Sequence, residues 1–276
     1  MKKGLAIIFV FCLTLSLGAC GGNKQEITVI SREEGSGTRG SFTQLTGIET
    51  DGVDRTYDRA EINSSTAVVL QSVSGNKNAI GYLSLAALHE SVKALAIDGV
   101  PPSTSTVQDG SYPLARPFLL GTLGTENSRI ADFLAFLQSD EAGEIILEAG
   151  YVPMGGGSYE SLQPEGVLRI AGSSSVAPVL EKLAEAYQRV NPNLQVQIQT
   201  TDSSTGLLSL SQGLCDVAMS SRPLTRSETD RGILAHTLCM DGIAVIVNRE
   251  NSVDRLTLAQ LRAVFTGDIT DWTLIS

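Results

Sequence analysis

The residue types best suited to chemistry in this chain lie in SREEGSGTRG, residues 31–40. The segment follows an apolar run, ITVI, and precedes a helix-compatible stretch, GSFTQLTG. Gly35, Ser36, Gly37 and Thr38 can therefore leave a strand and open a helix with several unpaired N–H groups aimed at one point. Glycine permits close approach of a ligand there, and the hydroxyls add donors. A helix start of this kind suits an anion, and Arg32 upstream can supply the charge. Alone, the segment could equally be a Gly-Ser turn beside a solvated arginine. Further Ser/Gly loops, however, end other apolar runs: AGSSSVAP (171–178), TDSSTG (201–206) and MSSRPL (219–224). Each of these taken singly is explained by serine's preference for helix N-caps. In succession, and with the Arg32 loop, they form a set of neutral donors around one cation, which suits a desolvated tetrahedral oxyanion.

The elements that must position these loops follow from hydrophobic periodicity. Residues 60–75 have helical spacing, 79–88 read as a strand entering a helix, and 92–98 and 115–124 read as strands. Between them, the Pro/Ser/Gly-rich segment 99–113 reads as a loop. Ile130, Phe133, Leu134 and Leu137, then Ile145, Ile146 and Ala149, mark two helices, the second stopped by Gly150 and Pro153. MGGGSYESLQPEG (154–166) is the most linker-like segment. Beyond it, strands at 168–172, 194–200, 216–221 and 243–248 alternate with helices, the last of them LTLAQLRAVFTG (256–267). Alternation of this kind implies α/β lobes with mostly parallel sheets, in which ligands bind beyond the carboxyl ends of the strands.

Composition narrows the partners. The formal net charge is −10, and −12 once Lys2 and Lys3 are set aside with the leader, which argues against nucleic acid. Lys2, Lys3 and the apolar run from Leu5 to about Leu17 read as an export signal, too short for a stable membrane span. Leu17-Gly18-Ala19-Cys20 resembles a bacterial lipobox, so Cys20 is expected to carry lipid, with residues 21–26 as a short polar tether. The protein is expected to be extracytoplasmic and anchored to the cell membrane. Of the other cysteines, Cys12 belongs to the leader, while Cys215 and Cys239 read as buried free thiols, with a disulfide as the alternative. His89 and His236 are isolated, and no Cys/His/carboxylate cluster has metal spacing, so neither a metal nor a cofactor is expected.

The sequence resembles the phosphate-binding proteins of bacterial phosphate ABC importers. LRIAGSSSVAPVLEKLAEAYQ is similar to that family's first strand, loop and helix, and SSTG, DVAMSSRPL, DGIAVIVN, LTLAQLRAVFTGDITDW and SREEGSGTR resemble its later signatures. AIGYLSL, VKALAIDGV, YPLARPFLL and GYVPM resemble its last third. The order differs: the family begins at the AGSSS segment and ends near GYVP, whereas this chain begins at ITVISREEGSGTR and ends at ITDWTLIS. The resemblance therefore implies a circularly permuted, two-lobed α/β fold of the type II periplasmic-binding-protein kind. Residues 154–166 would join the old termini, and the loop between ITDW and SREEGSGTR would be opened. A broken tandem duplication is the rival explanation. The lobes are expected to be 27–90 with 249–276, and 91–248.

Carried over residue by residue, the resemblance implies a phosphate site made of Arg32, Ser36, Gly37, Thr38, Ser174, Ser175, Ser203 and Ser221. Glu34 would hold the arginine. Ser221 falls where some family members carry an aspartate that accepts the proton of bound phosphate, which leaves selectivity over sulfate to serine acceptors or to Asp202. Arg222 could add a second cation or be solvated. The implied partners are inorganic phosphate, the permease of an ABC importer and the membrane through the N-terminal lipid, and a monomer is expected. Two other readings stand beside this one. A serine hydrolase or phosphatase would use Ser36 or Ser174 as nucleophile, although no G-x-S-x-G elbow or nearby histidine supports it. The other is a role without transport, as a surface lipoprotein or a decayed copy without a ligand; within the binding-protein reading, a sulfate-like oxyanion is the alternative ligand.

Overall fold

Amphipathic helices and apolar strands alternate along the chain as the periodicity predicts. The computed structural model describes residues 25–124 and 127–275; the leader, with the expected lipidation at Cys20, lies outside them. In chain order the elements begin β1 (Thr28–Arg32), α1 (Gly37–Thr46), β2 (Glu49–Thr50), β3 (Val53–Asp54), β4 (Glu61–Asn63), α2 (Thr66–Gly75) and β5 (Ala79–Ser84). Next come β6 (Val92–Ala94), β7 (Ala96–Ile97), α3 (Thr104–Gln108), β8 (Ala115–Thr122), α4 (Ser128–Leu137), α5 (Asp140–Glu148) and β9 (Val152–Pro153). The remainder is β10 (Gly166–Ser173), α6 (Ala177–Val190), β11 (Leu194–Thr201), α7 (Ser203–Ser211), β12 (Val217–Ser220), α8 (Arg226–Asp230), β13 (Leu234–Asn248), β14 (Arg255–Leu256) and α9 (Leu258–Thr266). One departure from expectation is α3, a single turn inside the segment read as loop, held by a capping box between Ser103 and Thr106. Among the described residues no helix is long and apolar enough to cross a membrane.

Strands neighbour one another in the order β11-β10-β12-β8-β13-β5-β1-β4. At one end β10 runs parallel to β11 and β12, and at the other β1 runs parallel to β4 and β5. The 15-residue β13 joins these halves. Its residues up to Gly242 pair antiparallel with β8, and Ile243–Val247 pair antiparallel with β5. Only its second part, IAVIVN, is recognisable as a buried strand from sequence. A register shift between Thr237 and Cys239 interrupts the alternation of the first part.

Two main hydrophobic cores flank this strand. One gathers Ile27, Val29, Phe42, Tyr82, Leu95, Val107, Leu114, Ile243, Val245 and Phe265. Within it Phe42 stacks on Tyr82 at 3.9 Å and meets Phe265 edge-on at 4.7 Å. The other gathers Phe118, Phe133, Phe136, Leu168, Ile170, Leu183, Tyr187, Val217 and Met219. The expected division at 90/91 and 248/249 does not run along the edges of these clusters. Val92 to Leu114 and Ile243 to Val247 pack with the strands around Ile27 and Ile30, not with the AGSSS strand. Periodicity does not mark where a strand changes its pairing partner, and β13 does so after Gly242.

Both joints implied by a permuted order are visible. The two ends of the described chain lie side by side: Trp272 donates its backbone N–H to Gln25 O at 3.0 Å, and Ile27 donates to Thr270 O at 2.9 Å. Segment 154–166 has almost no regular structure but is pinned. Buried Asp132 accepts from Tyr159 Oη (2.6 Å), Tyr187 Oη (2.6 Å) and the Leu162 N–H (2.8 Å).

Candidate functional site

Arg32 ends β1 and is only 2% exposed. Its Nε and Nη2 each donate to a Glu33 carboxylate oxygen at 2.7 Å, so Glu33 rather than Glu34 holds it. The remaining donors reach hydroxyls: Nη2 to Ser174 Oγ at 3.1 Å, and Nη1 to Thr66 Oγ1 at 3.4 Å. Thr66 opens α2 and Ser174 lies between β10 and α6, so the guanidinium is met from both lobes. Tyr82 Oη receives the Arg32 backbone N–H and shares a 2.7 Å hydrogen bond with Ser31; burial raises its pKa from the ordinary value.

The other hydroxyls continue across the cleft. Thr38, in the first turn of α1, shares a 2.8 Å hydrogen bond with Ser175, and Ser175 in turn is 3.2 Å from Thr66 Oγ1. Ser203, at the start of α7, accepts the Ser221 N–H at 3.1 Å, and Ser173 donates to Ser221 Oγ at 2.9 Å. Ser175, Ser203, Ser221 and Thr38 are all at most 2% exposed. Gly37 closes the approach: a Cβ there would lie 2.3 Å from Ser203 Oγ and 2.6 Å from Ser221 Oγ. Further lobe-to-lobe bonds run from Ser41 Oγ to Ser221 O (3.1 Å) and from Ser204 N–H to Gly35 O (3.2 Å). A cavity of about 410 Å³ adjoins Ser174, Ser175 and Thr66 and is walled by Ala67, Leu70, Ala86, Ala87, Tyr151 and Pro178.

Of the residues singled out from sequence, Arg32, Gly37, Thr38, Ser174, Ser175, Ser203 and Ser221 are thus brought together. Ser36 is not joined to them by its side chain. It caps α1 by accepting the Arg39 N–H at 3.4 Å and faces another recess, lined by Glu34, Arg39, Ser204 and Arg222. Asp202 caps α7, accepting from the Thr205 N–H (2.8 Å) and Oγ1 (2.6 Å), so its carboxylate is committed to its own helix. Arg222 is not solvated: its side chain is 13% exposed and forks onto Glu228 at 2.7 and 2.8 Å. Burial opposes ionisation of Glu228, but Arg222 and the Thr225 N–H hold its pKa below the ordinary value. Cys215 and Cys239 are free and buried, and burial pushes the Cys215 thiol up to about 11.

Sequence reading missed Thr66, whose signal was its place at the start of a helix after Asn63-Ser64-Ser65. It also missed a second buried arginine. Arg116 and Asp241 are cross-strand partners on β8 and β13, with side chains 1% and 0% exposed. Arg116 Nε and Nη2 donate to Asp241 Oδ2 at 3.1 and 2.9 Å, Ser84 donates to Oδ1 at 2.9 Å, and Arg116 Nη1 donates to Ser221 O at 3.1 Å. Burial raises the Asp241 pKa against the pull of Arg116, while the guanidinium keeps its proton, as arginine does in proteins.

A cleft between two α/β lobes, walled by helix starts and buried hydroxyls around one arginine, defines a solute-binding protein of the two-lobed kind. Residues 18–141 and 158–274 match the family model described as a PBP superfamily domain. The sequence is 42% identical over 261 residues to phosphate-binding protein PstS 2 of Streptococcus agalactiae serotype V, covering 92% of this chain and 89% of that one. It is 40% identical to phosphate-binding protein PstS 2 of Streptococcus pneumoniae serotype 4, covering 99% of each. A crystal structure of a phosphate-binding protein of a phosphate ABC transporter from S. pneumoniae TIGR4 superposes with a TM-score of 0.74 at 41% identity, over 91% of this chain and 100% of that one. The chain belongs to the PBP superfamily and, within it, to the family of the PstS phosphate-binding proteins. One alignment runs through 99% of both chains, so the S. pneumoniae relative carries its segments in the same order.

Proposed function

We propose that this chain is an extracytoplasmic solute-binding lipoprotein, anchored through Cys20, that captures inorganic phosphate between its lobes and delivers it to an ABC importer. The observation that carries this reading is the set of hydroxyls gathered from both lobes, buried Thr38, Thr66, Ser175, Ser203 and Ser221 with half-buried Ser174, beside Arg32. Each hydroxyl now bonds another hydroxyl or the arginine, and each can rotate to donate to or accept from an anion. The N–H groups opening α1 and α7 add fixed dipoles, and the arginine adds charge in a site from which water is excluded. Closing the lobes on an anion and reopening at the permease is the expected work cycle.

Selectivity falls to serine. Phosphate carries a proton near neutral pH and sulfate does not, so a buried hydroxyl acting as acceptor distinguishes the two. Ser221 Oγ, which accepts from Ser173, is the proposed acceptor. Hydrolysis is disfavoured because neither histidine is bonded to a site serine: His236 pairs with Thr122 and His89 with Ser91. The protein is proposed to act as a monomer and to need no cofactor.

Calorimetric titration of the purified protein with phosphate, using sulfate as competitor, tests the ligand. Tight binding that sulfate does not displace is expected. Binding of both anions alike would redirect the reading to a general oxyanion receptor, and no binding by a folded protein would refute capture. Phosphate uptake by cells with and without the gene tests delivery, and unchanged uptake would remove the transport role.

A further inference from the structure

Ser221 has an unusually complete set of partners for a loop residue. Its N–H goes to Ser203, its hydroxyl accepts from Ser173, and its carbonyl accepts from Ser41 of the opposite lobe and from Arg116. Arg116 is fixed from behind. Asp241 holds two of its nitrogens and is itself held by Ser84, the last residue of β5. This pair sits one residue before β13 leaves β8 for β5: Asp241 pairs with Arg116, Gly242 with Ala115, and Ile243 with Ser84. The crossover between the lobes is thus wired through one guanidinium to the peptide of a cleft serine.

We propose that Arg116 is a specificity-determining positioning residue, which holds the Ser221 carbonyl so that the Ser221 hydroxyl faces the bound anion as a proton acceptor. The proposal rests on the phosphate-capture reading above. Arg116 acts through the Ser221 peptide, and Asp241 and Ser84 set its position relative to the crossover. Without it the Ser221 peptide keeps only the Ser41 hydroxyl, from across the cleft, as carbonyl partner. The site then loses its orientation and, with it, preference for a protonated anion. A guanidinium suits this task because its planar fork grips a carboxylate with one edge and leaves a donor for the carbonyl.

The test is a set of phosphate and sulfate titrations on the full chain, comparing wild type with Arg116→Lys, Arg116→Met, and the double variant Arg116→Met/Asp241→Leu. Removing both buried charges together leaves no unpaired ion, so the double variant is expected to fold. Phosphate affinity is expected to drop about 10- to 100-fold in both Met variants, the range for losing a charged hydrogen bond. The preference for phosphate over sulfate is expected to narrow in parallel, with partial recovery in Arg116→Lys. A folded double variant with wild-type phosphate affinity and wild-type preference would overturn the proposal and leave Arg116 a purely structural residue. A wild-type chain that binds no phosphate would instead overturn the capture reading, and this proposal with it.

Discussion

The cleft and the strand crossover each contain a buried arginine gripped by a carboxylate, and they differ in where the remaining donors go. At the cleft, Arg32 is held by Glu33, which is 21% exposed, and its other donors end on the hydroxyls of Thr66 and Ser174. At the crossover, Arg116 is held by Asp241, which is fully buried, and its last donor ends on a backbone carbonyl. A hydroxyl can rotate and give up its place to an incoming anion; a carbonyl and a buried carboxylate cannot. One arginine is therefore available to a ligand and the other is committed to the frame. The same side chain serves opposite ends because of the partners around it.

The largest effect expected from breaking this contrast is at the crossover. Arg116→Met leaves buried Asp241 without its counter-charge, only Ser84 still donating to it, and is expected to cost about 3–5 kcal/mol of folding stability by denaturant unfolding. Adding Asp241→Leu is expected to recover most of that loss. Arg32→Ala should shift the unfolding midpoint far less, because part-exposed Glu33 can be rehydrated; equal losses in the two single variants would erase the distinction. Next in size is Gly37→Ala. Its methyl group would overlap Ser203 and Ser221 across the cleft. Phosphate affinity is expected to fall about 5- to 150-fold, the range for forced overpacking, with little change in stability without ligand.

The smallest effect concerns a carboxylate outside the cleft. Arg222 and the Thr225 N–H hold Glu228 below its ordinary value of 4.5 although burial pushes the other way. As pH falls, the unfolded chain takes up this proton first, so the clamp stabilises fully above the ordinary value. That contribution is lost as pH drops through the lower folded value. Glu228→Gln is expected to lower stability by about 1 kcal/mol at neutral pH, and the gap from wild type should close in acid. A gap that persists in acid would show that Gln costs stability by packing rather than by charge.

Much of the cleft was legible because Ser/Gly loops at strand ends have few other reasons to recur. Arg32 and the loops that carry Ser174, Ser175, Ser203 and Ser221 were reachable by that logic, the resemblance to phosphate-binding proteins singled out the individual serines, and the structure brings them together. What was not legible depends on distance or on single-residue geometry. Arg116 and Asp241 are 125 residues apart and meet only through the register of β8 against β13. Glu33 and Glu34 are adjacent, and which one grips Arg32 is settled by how the chain turns as it leaves β1. Asp202 looked available as an anion-selecting acid, but a carboxylate directly before a helix is captured by that helix's own N–H groups. The change of neighbour along β13 is a matter of register too: Asp241 still pairs with β8, and Ile243 pairs with β5 two residues later.

The central claim is that Arg32 is the cation that holds the anion, and the most direct measurement is a phosphate titration of Arg32→Ala beside wild type. The variant is expected to unfold cooperatively, as wild type does, and to lose about 30-fold or more in affinity, the cost of removing a buried hydrogen-bonded charge. A folded Arg32→Ala protein that binds phosphate as tightly as wild type would contradict the claim and move the anion away from this arginine.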